Sequence, residues 1–331
     1  MSKHAVPDVD LRIALQHSLA EHFGAARSIV RLERRPSRYQ SSFALEELDV
    51  DLHDGVRLHL LFKSLGAHAM LDDARAAKPG FLYNPGREAE IYRTVLASAG
   101  LGTAVCYGAV LDPDSERYWL FLERVSGQEL YEIGDLATWR DVARWLAGFH
   151  TRFASKSKDA FTNVLHYDSS FYGLWMQRAQ INNPALRRLA QVYPRVIERL
   201  LTLPTTLIHG EFYASNVLVE QTAGSARVCP VDWEMAAIGP GLMDLAALTA
   251  GKWTDETRTS IAHAYHEALP EPAVSPVEFL ETLDYCRLHQ AVQWLGWSAD
   301  WAPPTAHAQD WCEIALGLAD KLQLLKGERS E

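Results

Sequence analysis

Leu207-Ile208-His209-Gly210-Glu211-Phe212-Tyr213-Ala214-Ser215-Asn216-Val217-Leu218-Val219, followed closely by Val228-Cys229-Pro230-Val231-Asp232-Trp233-Glu234, holds the densest chemistry in the chain. Two short β-type runs, 217–220 and 226–231, are joined by Gln221-Thr222-Ala223-Gly224-Ser225, a turn-rich link of hairpin length. In an antiparallel hairpin the start of the first strand lies beside the end of the second. This predicts Asn216 and Asp232 as neighbours, with Glu211 in the loop that feeds the hairpin. Two carboxylates and one amide oxygen are hard ligands, without the Cys or paired His that would favour zinc. Such a set suits Mg2+, which takes few protein ligands and completes its shell with water and phosphate.

Outward from this stretch, the chain changes character near Gly127. Before it, residues 8–23 carry a helical stripe of Leu11, Ala14, Leu15, Ser18, Leu19 and His22, closed by Gly24. Residues 43–52 approximate alternation, His53-Asp54-Gly55 marks a turn, and residues 56–62 form a second strand. Residues 87–99 read as a helix closed by Gly100. The runs 104–111 and 118–125 flank the turn Asp112-Pro113-Asp114-Ser115 as a strand pair. Beyond Gly127, residues 136–154 are an amphipathic helix, and helical patterns continue to Leu325 apart from the strand- and turn-rich stretch 205–240. The expected fold is α+β. Residues 1–125 form a small β-rich N-terminal part with one key helix, and residues 126–331 form a larger, mostly helical part.

Composition narrows the class. The chain has 331 residues, with 32 Lys+Arg against 42 Asp+Glu, a net charge of −10 and 48% hydrophobic residues. Wholesale disorder is excluded, and the acidic balance argues against nucleic acid as a partner. No apolar run is long enough for a transmembrane helix, and the polar N-terminus is unlike a signal peptide. Cys106, Cys229, Cys286 and Cys312 show no C-x-x-C spacing, so a reducing, cytoplasmic setting without membrane partners is expected. The oligomeric state is not encoded in these features.

The motifs His209-Gly210-Glu211-(four residues)-Asn216, Val231-Asp232-Trp233-Glu234 and Gly239-Pro240-(three residues)-Asp244-Leu245-Ala246 resemble those of the aminoglycoside phosphotransferase and choline kinase-like family. Its usual signature is H-G-D-x-x-x-x-N, then a hydrophobic strand and I-D-W/F/x-E/G. The resemblance implies a two-lobed protein-kinase-like fold with a hinge near residues 122–127. It also implies transfer of the γ-phosphoryl group of ATP or GTP to a hydroxyl of an aminoglycoside-like, amino-sugar or other small alcohol acceptor. By position, Glu211 orients and deprotonates the acceptor hydroxyl, Asn216 and Asp232 hold Mg2+ on the phosphates, and Asp244 anchors the catalytic loop. The sequence departs at the base, where Glu211 stands in place of the usual Asp. Phosphoryl transfer is dominated by positioning and charge neutralisation, which a carboxylate one methylene longer can still supply. The alternative is a pseudokinase that binds nucleotide without turnover.

A kinase-like enzyme needs a strand lysine on the phosphates and a helical glutamate to hold it. Lys63 ends the run Leu58-His59-Leu60-Leu61-Phe62-Lys63. Glu88 extends the stripe of Ile91, Tyr92, Val95, Leu96 and Ala99, whereas Glu90 falls off it. An acid on such a face is costly unless paired, so Lys63–Glu88 is the expected ion pair. A solvated strand-end lysine and a first-turn acid favoured by the helix dipole are the plainer alternative. The phosphate loop is placed in residues 36–43, which lack glycine. By resemblance, Ser41 and Ser42 meet phosphate there, and a plain surface turn is the other reading. The main-chain groups of Glu123 and Val125 would read the adenine edge, again by resemblance. His150 and His209 read as bracing residues rather than proton carriers. For the acceptor, residues 260–325 offer Trp294, Trp297, Trp301 and Trp311 with Asp284, Asp300, Asp310 and Glu313 interspersed. That mixture suits a cationic or sugar-bearing molecule, or else it is a helical core with a solvated acidic face.

Overall fold

The computed structural model describes residues 6–40, 42–154, 161–222, 225–270, 274–297 and 309–325. In chain order, α1 (Asp8–Phe23) precedes β1 (Ile29–Gln40), β2 (Ala44–Leu52) and β3 (Arg57–Ser64). Next come α2 (Asp72–Ala77), α3 (Arg87–Glu90), β4 (Cys106–Asp112), β5 (Arg117–Glu123) and β6 (Gln128–Glu129). Then follow α4 (Leu136–Ala154), β7 (Leu165–His166), α5 (Ser169–Asn182), α6 (Arg187–Leu201) and β8 (Thr205–Ile208). The strands β9 (Val217–Thr222), β10 (Ser225–Pro230) and β11 (Ala237–Pro240) lead to α7 (Leu242–Leu248), α8 (Asp255–Glu267), α9 (Pro276–Leu295) and α10 (Trp311–Lys321). Among the described residues, no helix is long and apolar enough to cross a membrane.

The elements gather into two compact units, neither of them continuous in sequence. The first takes Met1–Ala76, Tyr83–Gly127 and Leu218–Glu234; the second takes Ala77–Leu82, Gln128–Val217 and Met235–Glu331. The paired strands β9 and β10 therefore fold largely with the N-terminal part, which a single cut after residue 125 leaves out.

In the first unit the sheet order is β1-β2-β3-β5-β4, antiparallel throughout. Leu11, Leu15 and Leu19 of α1 join Leu48, Val50, Leu58, Leu60 and Phe62 in one core. The helix comes so close to β4 that a Cβ on Gly108 would clash with Ser18. Strand residues alternate faces, so Lys63 points away from the side on which Phe62 meets that core. Two expectations change here. Most of residues 36–43 is strand rather than loop, because β1 runs on to Gln40 and pairs Arg35 with Glu47 and Pro36 with Glu46. The helix expected over 87–99 is α-helical only through Glu90, continues as a π-turn over Ile91–Leu96, and ends there.

In the second unit, β11 lies between β7 and β8, parallel to β7 and antiparallel to β8. Asp135 caps α4 by accepting from the Ala137 and Thr138 N–H groups. Trp139, Val142, Ala143, Leu146, Ala147, His150 and Phe153 then form its buried stripe. Ile208 of β8 pairs with Ala237 of β11. This antiparallel register carries the chain leaving β8 at His209 alongside the segment that enters β11.

Candidate active site

In the first unit, three segments bring their charged residues together. Lys63 Nζ donates to Glu88 Oε2 and to Asp232 Oδ1, each at 2.7 Å. Lys63 is 3% exposed and Glu88 1%. Burial alone would pull the Lys63 pKa down, but the charges of Asp232, Glu88 and Glu234 outweigh it and hold the ammonium above its ordinary value. Burial pushes the Glu88 carboxyl up to about 7 against the pull of Lys63, with Asp232 adding to the rise. Asp232 has φ +67°, a left-handed conformation that Asp tolerates better than most residues and that recurs at functional sites. Beside this triad, Arg87 is buried and its Nη1 donates to the Glu234 carbonyl at 2.5 Å. Burial lowers the Arg87 pKa to about 10, with Glu234 opposing.

In the second unit, the loop after β8 is built around Asp244. This carboxylate is fully buried, accepts from His209 N–H at 2.7 Å and Gly210 N–H at 2.9 Å, and lies 3.2 Å from His150 Nε2. His150 Nδ1 meets the Tyr265 hydroxyl at 2.9 Å. The helical histidine thus ties α4, α7 and α8 to the loop, as the bracing role requires. Gly210 has φ +85°, and any Cβ there would collide with the Met235 carbonyl, so glycine alone fits. His209 Nδ1 accepts the Glu211 N–H at 3.3 Å. The Glu211 carbonyl accepts from Tyr213 N–H at 2.7 Å and from Asn216 Nδ2 at 3.0 Å. Buried Phe212 stacks near Trp145 and fixes the loop to α4. Glu211 and Asn216 are both half-buried.

Other expected site residues fare differently. Ser41 lies outside the described residues. Ser42 Oγ donates to Glu234 Oε1 at 2.7 Å, so its hydroxyl is engaged with a carboxylate. The Glu123 N–H donates to Val105 O, and its carboxylate binds Arg227 and the Val105 N–H. Its N–H is therefore engaged with the chain and not available to a base edge. Val125 follows Arg124, whose N–H makes the last bond to β3 at His59 O. Among the acceptor candidates, Asp284 lies mid-α9, paired with Arg287 and Lys321. Asp310 caps α10 through the Glu313 N–H, and Glu313 is exposed. Trp297 stacks on Trp175. Asp300 and Trp301 lie outside the described residues. Trp294 Nε1 donates to the Tyr213 hydroxyl at 2.8 Å, and its ring stacks on Trp311 at 5.3 Å. That ladder of rings starts two residues from Glu211.

Sequence reasoning did not single out Arg87 or Tyr213, and it read Tyr92 only as part of the apolar stripe. Arg87 and Tyr92 flank Glu88 in α3 and its π-turn, and Tyr213 sits inside the motif that carries Glu211. Their spacing to residues already singled out was the only signal. Within the first unit Asp232 gives one oxygen to Lys63 and is partly exposed, and within the second unit Asn216 spends its amide N–H on the Glu211 carbonyl; both carry the oxygen donors that Mg2+ takes.

The model of the phosphotransferase enzyme family matches residues 83–277. No curated protein sequence matches the chain. Among solved structures, a microcompartment-associated aminopropanol kinase aligns over 88% of this chain and 92% of its own, with TM-score 0.59 and 15% identity. An ethanolamine kinase of Plasmodium vivax aligns over 97% and 90%, with TM-score 0.56 and 14% identity. The GDP complex of wild-type aminoglycoside 2'-phosphotransferase-IIIa aligns over 96% and 99%, with TM-score 0.54 and 14% identity.

Proposed function

The chain belongs to the phosphotransferase enzyme family and has its protein-kinase-like fold, and from that premise we propose that it transfers the γ-phosphoryl group of ATP or GTP to a hydroxyl of a small, amine-bearing alcohol. One observation carries this reading above the others: a fully buried lysine shared between a helical glutamate and an aspartate that follows a β-hairpin. A structural ion pair would need one acid. The second, partly exposed acid makes sense if nucleotide replaces it on Lys63.

In this reading Lys63 binds the phosphates and Glu88 keeps it aimed. Asp232 and Asn216 would hold Mg2+, which supplies charge neutralisation on the phosphates. The main chain at Glu123 and Val125 meets the base, and the tip at Ser42 covers the phosphates through its backbone. Glu211 accepts the proton of the attacking hydroxyl, and Asp244 and His150 keep that loop rigid so that the base does not drift. Tyr213, two residues from Glu211, packs edge-on against Trp294, and these aromatic rings would suit an alkylammonium or a sugar ring. The amine-bearing acceptors named for the aminopropanol and ethanolamine kinases of the same fold agree with these rings.

The test is phosphorus NMR of Mg·ATP and Mg·GTP incubated with the protein and a panel of aminopropanol, ethanolamine, choline, kanamycin and spectinomycin. A new phosphate monoester with one panel member is the expected result. Nucleotide binding by thermal shift with no ester across the panel would favour the pseudokinase, for which Glu211 in the place of Asp is the supporting observation. No thermal shift at millimolar nucleotide would contradict both.

A further inference from the structure

Two polar atoms in the first unit are buried without a partner on consecutive turns of one helical segment. Glu88 gives Oε2 to Lys63, while its Oε1 is buried and makes no hydrogen bond. Tyr92 is fully buried, and its hydroxyl makes none either. The two residues are spaced i, i+4, and a long helical side chain leans back over the residue one turn earlier, which sets the Tyr92 ring over Glu88. A phenylalanine would fill the same core position without burying a polar atom, so the hydroxyl is unexplained by packing. The groups that face this pair from neighbouring elements are Lys63 on β3, Asp232 and Glu234 after β10, Cys229 on β10 and Cys106 on β4. Of the ionisable ones, Glu88 acts most strongly on Tyr92. None of the others offers Glu88 Oε1 a hydrogen.

The local backbone departs from α-helical geometry. Tyr92 sits in the π-turn Ile91–Leu96, where the Ala97 N–H reaches back to the Tyr92 carbonyl at 3.1 Å. Such π-turns are rare and collect at functional sites. We propose that Tyr92 is a positioning residue of the nucleotide grip: its hydroxyl donates to Glu88 Oε1 when nucleotide draws Lys63 away from Asp232, so that Glu88 alone keeps Lys63 aimed. This inference rests on the reading of Lys63 as the nucleotide-binding lysine. In the present arrangement Lys63 is held from two sides, by Glu88 and by Asp232. Once Asp232 turns to the metal, the carboxylate that remains must be fixed by something other than Lys63 itself.

The experiment is a double-mutant cycle in the full chain, read as the dissociation constant of the fluorescent analogue mant-ATP with Mg2+. Tyr92→Phe should weaken binding by about tenfold, the worth of a hydrogen bond to a charged group, with Tm of the nucleotide-free protein unchanged. In a Glu88→Gln background the same substitution should have little further effect. A second readout is the Tyr92 Cζ resonance of ring-labelled protein, assigned by its loss in the Tyr92→Phe variant. It should shift on adding Mg·ATP to the wild type and stay fixed in Glu88→Gln. Wild-type affinity in Tyr92→Phe, or an equal loss in both backgrounds, would overturn the proposal. Lys63→Met is the separate control: if it binds mant-ATP as well as the wild type does, the reading of Lys63 fails, whatever Tyr92 does.

Discussion

Gly210 bends the chain between a buried histidine and the proposed base, and it does so under two constraints at once. Its φ of +85° is strained for any side chain, and a Cβ would run into the Met235 carbonyl. Gly210→Ala should cost about 2–4 kcal/mol of stability and remove turnover, measured as the shift of the urea midpoint and the initial rate. Asp244 is the companion case. Asp244→Asn preserves shape but replaces one of the two oxygens that accept backbone N–H groups with a donor, and should cost about 1–3 kcal/mol by the same denaturation measurement. At this scale the sequence was most legible where one residue broke a local pattern. Glu88 on an apolar stripe called for a cation, and the structure supplies Lys63. Arg87 and Glu234 broke no pattern. Their contact depends on segments far apart in the chain meeting, which no spacing announces.

Elements were legible when their period was clean and obscured when a turn residue sat inside them. Pro36-Ser37 reads as a loop signal, yet β1 is an edge strand, where a proline can be tolerated without breaking the sheet. The cross-strand pairs Arg34–Glu46 and Arg35–Glu47 favour that register through Pro36. The run 56–62 was legible as a strand, and its faces follow from the observed burial pattern. The π-turn after Glu90 has no sequence signature, because helix and π-turn bury the same stripe. Helix α9 carries a consequence for pH. His289 is fully buried, meets the Tyr193 hydroxyl at 2.7 Å through Nδ1, and sets its ring edge-on to Tyr172. Burial pulls its pKa down to about 3. The unfolded chain therefore takes up this proton first. The stabilisation is complete above the ordinary histidine value of about 6.5 and is lost as pH falls towards the folded value, by up to about 1.4 kcal/mol per unit. His289→Phe should flatten the fall in urea stability between pH 6.5 and pH 4 relative to wild type. Equal slopes would contradict a neutral buried His289.

For the whole molecule, composition and motif order point to an α+β kinase-like chain, but not to how its units are drawn. Hairpin length and strand propensity locate β9 and β10, while nothing in them says which unit they join. The structure groups them with the N-terminal unit, where Arg227 bonds Glu123 and the Gly102 and Thr103 carbonyls. Asp232 and Glu234 at the end of the same segment complete the environment of Lys63, Ser42 and Arg87. A fragment of residues 1–127 should therefore lack a cooperative thermal transition by circular dichroism, and linking residues 218–234 to it should restore one. The net charge of −10 says little about substrate, because many of its acids are engaged locally by arginines of the N-terminal sheet and by Lys63. The central claim, that Glu211 serves as the base of a working phosphotransferase, is tested most directly by comparing Glu211→Gln with wild type in ester formation from Mg·ATP and the best acceptor of the panel. The expected result is a rate lower by about a hundredfold or more, with the affinity for mant-ATP unchanged. A Glu211→Gln variant that forms ester at the wild-type rate would contradict it.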